Sequence, residues 1–141
     1  MTMDILMRPG LEGVIAAETR LSHVDGQIGE LVIAGYRAEE IAPRATFEQL
    51  VYLLWHDRVP DAGELAEFSA SLATKRVLPE VALTVLQAAT AKKLPVIDAL
   101  RMAAGTLNLV VDADEMQTAA EAMVAAFPTI VAAYWRLLHG Q

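Results

Sequence analysis

The sequence predicts an all-α fold, mainly helical, with one short β-hairpin near the N-terminus. Three observations predict it. From residue 37 onward the apolar residues recur at helical period, and each run is bracketed by a capping residue or a proline. Two stretches, Val96 to Val111 and Ala122 to Trp135, are apolar or small on nearly every helical face. Only residues 10–36 carry a β-like pattern. The chain reads as a single helical unit over 1–141, with no low-complexity linker and no internal repeat.

The hairpin comes first. Val14 to Leu21 reads as a strand, Asp25-Gly26 as a turn signal, and Glu30 to Ala34 as the return strand, ended by Gly35. Two short strands do not hold together alone, so this hairpin must lie against something else. Ala38 to Ala42 is one short helical turn, stopped by Pro43. Thr46 with Gln49 forms a capping box that opens a helix over Phe47 to His56. Phe47, Leu50, Val51, Leu54 and Trp55 follow its period, and Pro60 stops it. Asp61 with Glu64 is a second capping box, opening Ala62 to Thr74 with Leu65, Phe68 and Leu72 inward.

Pro79 suits the start of the next helix, Glu80 to Ala91. Lys92 and Lys93 follow it, where cations suit the helix dipole. Pro95 opens Val96 to Val111. Its polar residues Asp98, Arg101 and Asn108, with Gly105 between, share one narrow stripe. The rest of that helix is apolar or small, so it is the centre of a core or half of an interface. Asp112 or Asp114 caps the last helix, Glu115 to His139. Pro128 cannot donate a backbone hydrogen bond, which predicts a kink between Val124 and Pro128.

Composition excludes several function classes. The hydrophobic fraction is 55% and the mean hydropathy +0.36, high for a solitary domain, so part of the apolar surface is expected to meet a partner. A net charge of −7 and a pI near 4.8 give no electrostatic reason to bind nucleic acid or an anionic membrane. With no cysteine there is neither a disulfide framework nor thiolate chemistry, which fits a reducing cytosol. The N-terminus has an acid near its start and no apolar core of a signal peptide, so a cytoplasmic protein is expected. The charge-free run Ala122 to Trp135 is too short for a span and reads as a core helix.

The search for chemistry returns mostly negatives. The three histidines, His23, His56 and His139, lie at no metal-ligand spacing, and each reads as structural. No serine sits in a GxSxG turn, and Ser22-His23-Val24-Asp25 is a row whose neighbours point to opposite faces of a strand. The glycines are spaced for turns, not for a phosphate cradle. Glu39, Glu40, Asp112, Asp114 and Glu115 read as helix N-terminal charges. Tyr52, Trp55, Tyr134 and Trp135 read as core or interface. No catalytic residue, metal ligand or cofactor is assigned.

Several blocks nevertheless resemble the citrate synthase family. GLEGVIAAETRLSHVDGQIGELVIAGYRAEEIA, from Gly10, resembles its N-terminal glycine turn, strand, Asp-Gly turn, second strand and Gly-Tyr helix start. ATFEQLVYLLWHDRVPDAGELAEF and LPVIDALRMAAGTLNL resemble the next two blocks, and TIVAAYWRLLHGQ resembles a following helix end. The blocks occur in order. The resemblance implies an almost entirely helical fold, with this chain as the N-terminal part of the large domain. It implies an obligate dimer whose seam corresponds to the helices at 96–111 and 115–139. Ile97, Leu100, Ala103, Ala104, Leu107, Met123, Ile130 and Tyr134 are the expected seam residues.

The family condenses oxaloacetate with acetyl-CoA. A histidine and an aspartate enolise the thioester, and a second histidine polarises the ketone. Those residues belong to motifs of the HxxHxxN and GPLHGxAN kind, absent here. The resemblance therefore implies a scaffold and dimerisation part that is not catalytic by itself, with a separate C-terminal catalytic half as a possible partner. Some members meet a coenzyme A phosphate with an arginine near the first glycine turn, and Arg8 is the residue in that place. Ala34 stands where the family usually has arginine, and Leu94-Pro95-Val96 where it has His-Pro-Met. 2-Methylcitrate synthases share the same blocks, so the acyl-CoA stays open. Two other readings compete: a self-standing helical dimerisation or binding module, and an enzyme with a site among Glu18, His23 and Asp25.

Overall fold

The structure is a computed structural model that describes residues 17–109, 111 and 115–141. The single unit expected for 1–141 is divided, just after Pro60, into two compact units, Met1–Pro60 and Asp61–Gln141. Helix α2 has ended before Pro60 and Asp61 caps the next helix, so the division falls between two locally complete elements.

The first unit holds strands β1 (Ser22–Asp25), β2 (Glu30–Ile33) and β3 (Tyr36–Arg37), then helices α1 (Ala38–Ile41) and α2 (Phe47–His56). The strands form one antiparallel sheet in the order β1-β2-β3. This corrects the strand expected over Val14 to Leu21: residues 14–16 lie outside the described residues, and pairing begins at Ser22. The turn sets that start. The Asp25 carboxylate accepts the N–H groups of Gln27 (2.9 Å) and Ile28 (3.3 Å), and Gly29 takes a left-handed φ of 71°. Counting back from that turn pairs Asp25 with Glu30 and Ser22 with Ile33.

The third strand goes beyond the two-stranded hairpin that the sequence predicts. The chain reverses at Ala34 (φ 45°) and Gly35 (φ 87°), so that Tyr36 pairs with Ile33 and Arg37 with Val32. Positive φ at both central residues is the mark of the tight turns that match strand twist. Arg37 then bridges Glu30 (3.0 Å) and Glu39 (3.2 Å), tying the sheet to the start of α1. In α2 the expected capping box is complete. Gln49 N–H donates to the Thr46 hydroxyl (3.2 Å), and Thr46 N–H donates to Gln49 Oε1 (2.8 Å).

The second unit is a bundle of α3 (Ala62–Thr74), α4 (Glu80–Ala91), α5 (Val96–Gly105) and α6 (Met116–Leu138). The Asp61–Glu64 capping box opens α3 as expected. Ala82, Ala89, Ala99, Ala103 and Ala126 let α4, α5 and α6 approach closely around Leu86, Leu107, Ile130 and Tyr134. The Tyr134 hydroxyl donates to the Leu94 carbonyl, so the ring is buried without orphaning its oxygen.

Two helix bounds differ from the sequence reading. The helix expected to run to Val111 ends at Gly105 and tightens into a 3₁₀ turn over Thr106–Leu109. Gly105 weakens the helix, and the Thr106 hydroxyl donates to the Ala103 carbonyl (2.7 Å). The residue flanking α6 is Glu115, with no side-chain cap; Asp112 and Asp114 lie outside the described residues. Helix α6 runs through Pro128 without a break. Length alone does not separate α6 from a membrane span, a correction to the sequence reading, because the charge-free run sits in a 23-residue helix, about 34 Å long. One side of α6 packs within the chain and the other stays bare. Ala122, Ala125, Ala126, Ile130 and Tyr134 are buried against the rest of the chain.

Candidate functional site

Helix α6 has two apolar faces, and they are unlike. Ala122, Ala125, Ala126, Ile130 and Tyr134 face the core. On the other side Met123, Phe127, Val131 and Trp135 follow one another at intervals of four, with Leu138 three further on, and all are exposed. Trp135 is 54% exposed, against 1% for its neighbour Tyr134. A row at that spacing lies along one side of a helix. Phe127, Pro128, Val131, Ala132, Trp135 and Arg136 line a shallow depression of about 600 Å³ on this face. His139 stacks on Trp135 with ring centroids 4.2 Å apart, and its Nδ1 lies 2.7 Å from the Trp135 carbonyl oxygen.

The row ends near a polar clamp between α3 and α6. Lys75 Nζ donates to Glu121 (2.7 Å) and to the Ser71 hydroxyl (2.6 Å), and that hydroxyl donates to Glu121 (2.8 Å). Gln117 donates to the other Glu121 oxygen (3.3 Å). Burial works to raise the Glu121 pKa, but the hydrogen bonds from Lys75, Ser71 and Gln117 and the Lys75 charge outweigh it. The net shift is below the ordinary value. The clamp ties the end of α3 to the first turns of α6, while Ala126, Ile130 and Tyr134 hold the inner face of α6 in the core.

The expected seam residues divide under this geometry. Ala103, Leu107, Ile130 and Tyr134 belong to the core of the second unit, where packing within the chain occupies them. Their small size or helical spacing marks close approach to another helix, and that helix is in the same chain. Leu100 and Ala104 are half-buried beside the core. Ile97 and Met123 stay exposed, Ile97 at 65%. Trp135, read from the sequence as core or interface, shares the exposed face with Met123, and Phe127, Val131 and Leu138 on that face are residues the sequence reading did not single out. In a stretch with no charge the period cannot separate two apolar faces. The alanines at 122, 125 and 126 were the available signal, since small side chains sit where backbones approach.

Arg8 lies outside the described residues. Among the described residues no group of three or more His, Cys, Asp or Glu side chains is placed to hold a metal ion. The His56 ring lies against Tyr52, tilted by 35° with centroids 4.1 Å apart, and the Asp25 carboxylate is engaged by the turn that follows it.

Known proteins place this architecture. The family model described as "Citrate synthase, C-terminal domain" matches residues 10–141. The chain belongs to the citrate synthase family. It is 34% identical to a citrate synthase from Haloferax volcanii over 143 aligned residues, covering 95% of this chain and 38% of that protein. It is 32% identical to a 2-methylcitrate synthase from Shewanella oneidensis, covering 92% of this chain and 35% of that one. Among solved structures, citrate synthase from Thermotoga maritima aligns with a TM-score of 0.78 at 34% identity, over 94% of this chain and 35% of that chain. The chain thus spans little more than a third of these relatives' length.

Proposed function

We propose that this chain is the N-terminal scaffold and self-association part of a citrate synthase-type acyltransferase. In the complete enzyme the reaction would join oxaloacetate and acetyl-CoA into citrate and coenzyme A, in the cytoplasm. On this reading the chain forms no citrate by itself, because proton abstraction from a thioester and polarisation of a ketone need positioned acid–base groups. The family's histidine motifs that would provide them are absent from its sequence. The placement at the N-terminal end rests on the order of the family blocks from Gly10 onward.

The observation that carries the association is the bare apolar row Met123, Phe127, Val131, Trp135 and Leu138 on α6. Exposed apolar patches of this kind mark interaction sites. A second copy of the chain is the proposed occupant, with α5 contributing Ile97 and the half-buried Leu100 and Ala104. A chain carrying the family's catalytic motifs would be the further partner needed for turnover.

The test pairs light scattering on the 141-residue chain with a coenzyme A release assay on the same sample. A dimer that releases no coenzyme A is the expected result. Coenzyme A release by the purified chain would overturn the division of labour. A monodisperse monomer would overturn the association and favour a binding module with a different partner.

A further inference from the structure

Away from α6, the first unit holds a cavity of about 400 Å³ between α1 and α2. This is toward the lower end of small-ligand pockets, which run from about 300 to 1,000 Å³. Its apolar lining comes from Ile41, Ala45, Leu50, Leu53 and Val59. The polar groups that share the lining are Tyr36, Glu40, Arg44 and Gln49.

The hydrogen bonding of those four groups narrows the ligand. Gln49 Oε1 is engaged by the Thr46 N–H at 2.8 Å, which leaves the side-chain amide as a donor. Arg44 and Glu40 make no ion pair with another described residue, although four positions apart. The backbone that carries Arg44 is fixed: the N–H groups of Arg44 (3.0 Å) and Ala45 (2.8 Å) both donate to the Ile41 carbonyl. The cavity therefore offers one cation, one anion, a neutral amide donor and a phenol around an apolar body. Two other concavities lack this balance. The depression on α6 is almost wholly apolar, and the one beside the hairpin has its charges consumed by the Arg37 bridges to Glu30 and Glu39.

We infer that this cavity binds a free α-amino acid with an apolar side chain. The carboxylate pairs with Arg44 and the Gln49 amide, the ammonium pairs with Glu40, and the side chain covers Leu50 and Leu53. A zwitterion satisfies both rim charges at once, whereas a simple fatty carboxylate leaves Glu40 facing its own sign. Charge-assisted hydrogen bonds to a carboxylate give such a site its orientation, and the apolar lining gives it preference for side-chain size. Binding here is independent of the association proposed for α6.

Isothermal titration calorimetry on the 141-residue chain tests it, with L-leucine and L-phenylalanine as ligands. Hexanoate and hexylamine serve as probes of each charge alone. Saturable binding of an amino acid is expected, at least tenfold tighter than either single-charge probe. Arg44→Ala and Glu40→Gln, both at exposed positions, are expected to weaken it at least tenfold. Ala45→Met, which fills the cavity without touching the rim charges, is expected to abolish it. No saturable heat from either amino acid at concentrations up to about 10 mM would overturn the inference. So would equal affinity for hexanoate, or amino-acid binding unchanged in both rim variants.

Discussion

Ile130 and Val131 are adjacent on α6 and should fail in opposite ways when changed. Ile130 is fully buried in the core shared by α4, α5 and α6, and Val131 lies on the bare outer row. Ile130→Ala removes buried carbon from the core cluster that also holds Leu86, Ala103 and Tyr134. Truncations of that kind cost about 2–5 kcal/mol, depending on how far the cavity collapses. The neighbouring alanines have little side chain to move into the gap, so the upper half of that range is expected. Against a total stability of about 5–15 kcal/mol for a domain, the loss is plainly visible in a urea titration. Val131→Glu adds a charge to a surface already in water. As a monomer it should cost under about 0.5 kcal/mol, the usual range for a surface change. In a dimer it should weaken association by several kcal/mol, since an unpaired charge buried at a seam is costly. The assay is urea unfolding at two protein concentrations together with light scattering, because association makes apparent stability concentration-dependent. Ile130→Ala losing less than about 1 kcal/mol would refute the core assignment. Val131→Glu leaving both mass and concentration dependence unchanged would refute the outer row as the seam.

Ala34 has a left-handed φ of 45° before Gly35 at 87°, so Ala34→Asn should stabilise the β2–β3 turn by about 0.5–1 kcal/mol, read as a raised Tm. Thr46→Ala should cost about 1 kcal/mol in a urea titration, by removing the acceptor that holds Gln49 N–H at the start of α2. Glu121 has a folded pKa below its ordinary value, so its contribution is complete above the unfolded value and is lost as pH falls through the folded one. The stability difference between the parent chain and Glu121→Gln should therefore be largest near neutrality and shrink from about pH 5 downward. A difference constant with pH would mean that the clamp contributes nothing through charge.

The helices of this fold were legible because each carries its own start and stop. Thr46 with Gln49 and Asp61 with Glu64 open α2 and α3 at the residues expected, and Pro79 and Pro95 stand immediately before α4 and α5. The sheet was less legible because its register is set by turns, not by apolar runs. The apolar stretch before Ser22 suggested an earlier strand, but the Asp25 carboxylate and Gly29 fix where pairing begins. Strand β3 was missed because its turn uses Ala34, which has no preference for left-handed backbone, where asparagine or glycine would have announced it.

The seam was harder to read for a reason that Ala103 makes plain. A small residue in an apolar helix says that another backbone comes close, and nothing in the residue says whose. Ala103 meets α4 and α6 of its own chain and is wholly buried there. A glutamate at Ala103 should therefore unfold the second unit, whereas one at half-buried Ala104 should be tolerated better by the monomer, a difference that circular dichroism of the two variants would read. The outer row has the opposite character, with large residues where the core has small ones. Phe127, Val131 and Trp135 are too bulky for close backbone approach, yet they offer broad apolar area to a partner. The core of this chain is thus built from proximity and its proposed seam from area. That contrast separates two faces of α6 which hydropathy alone presents as one.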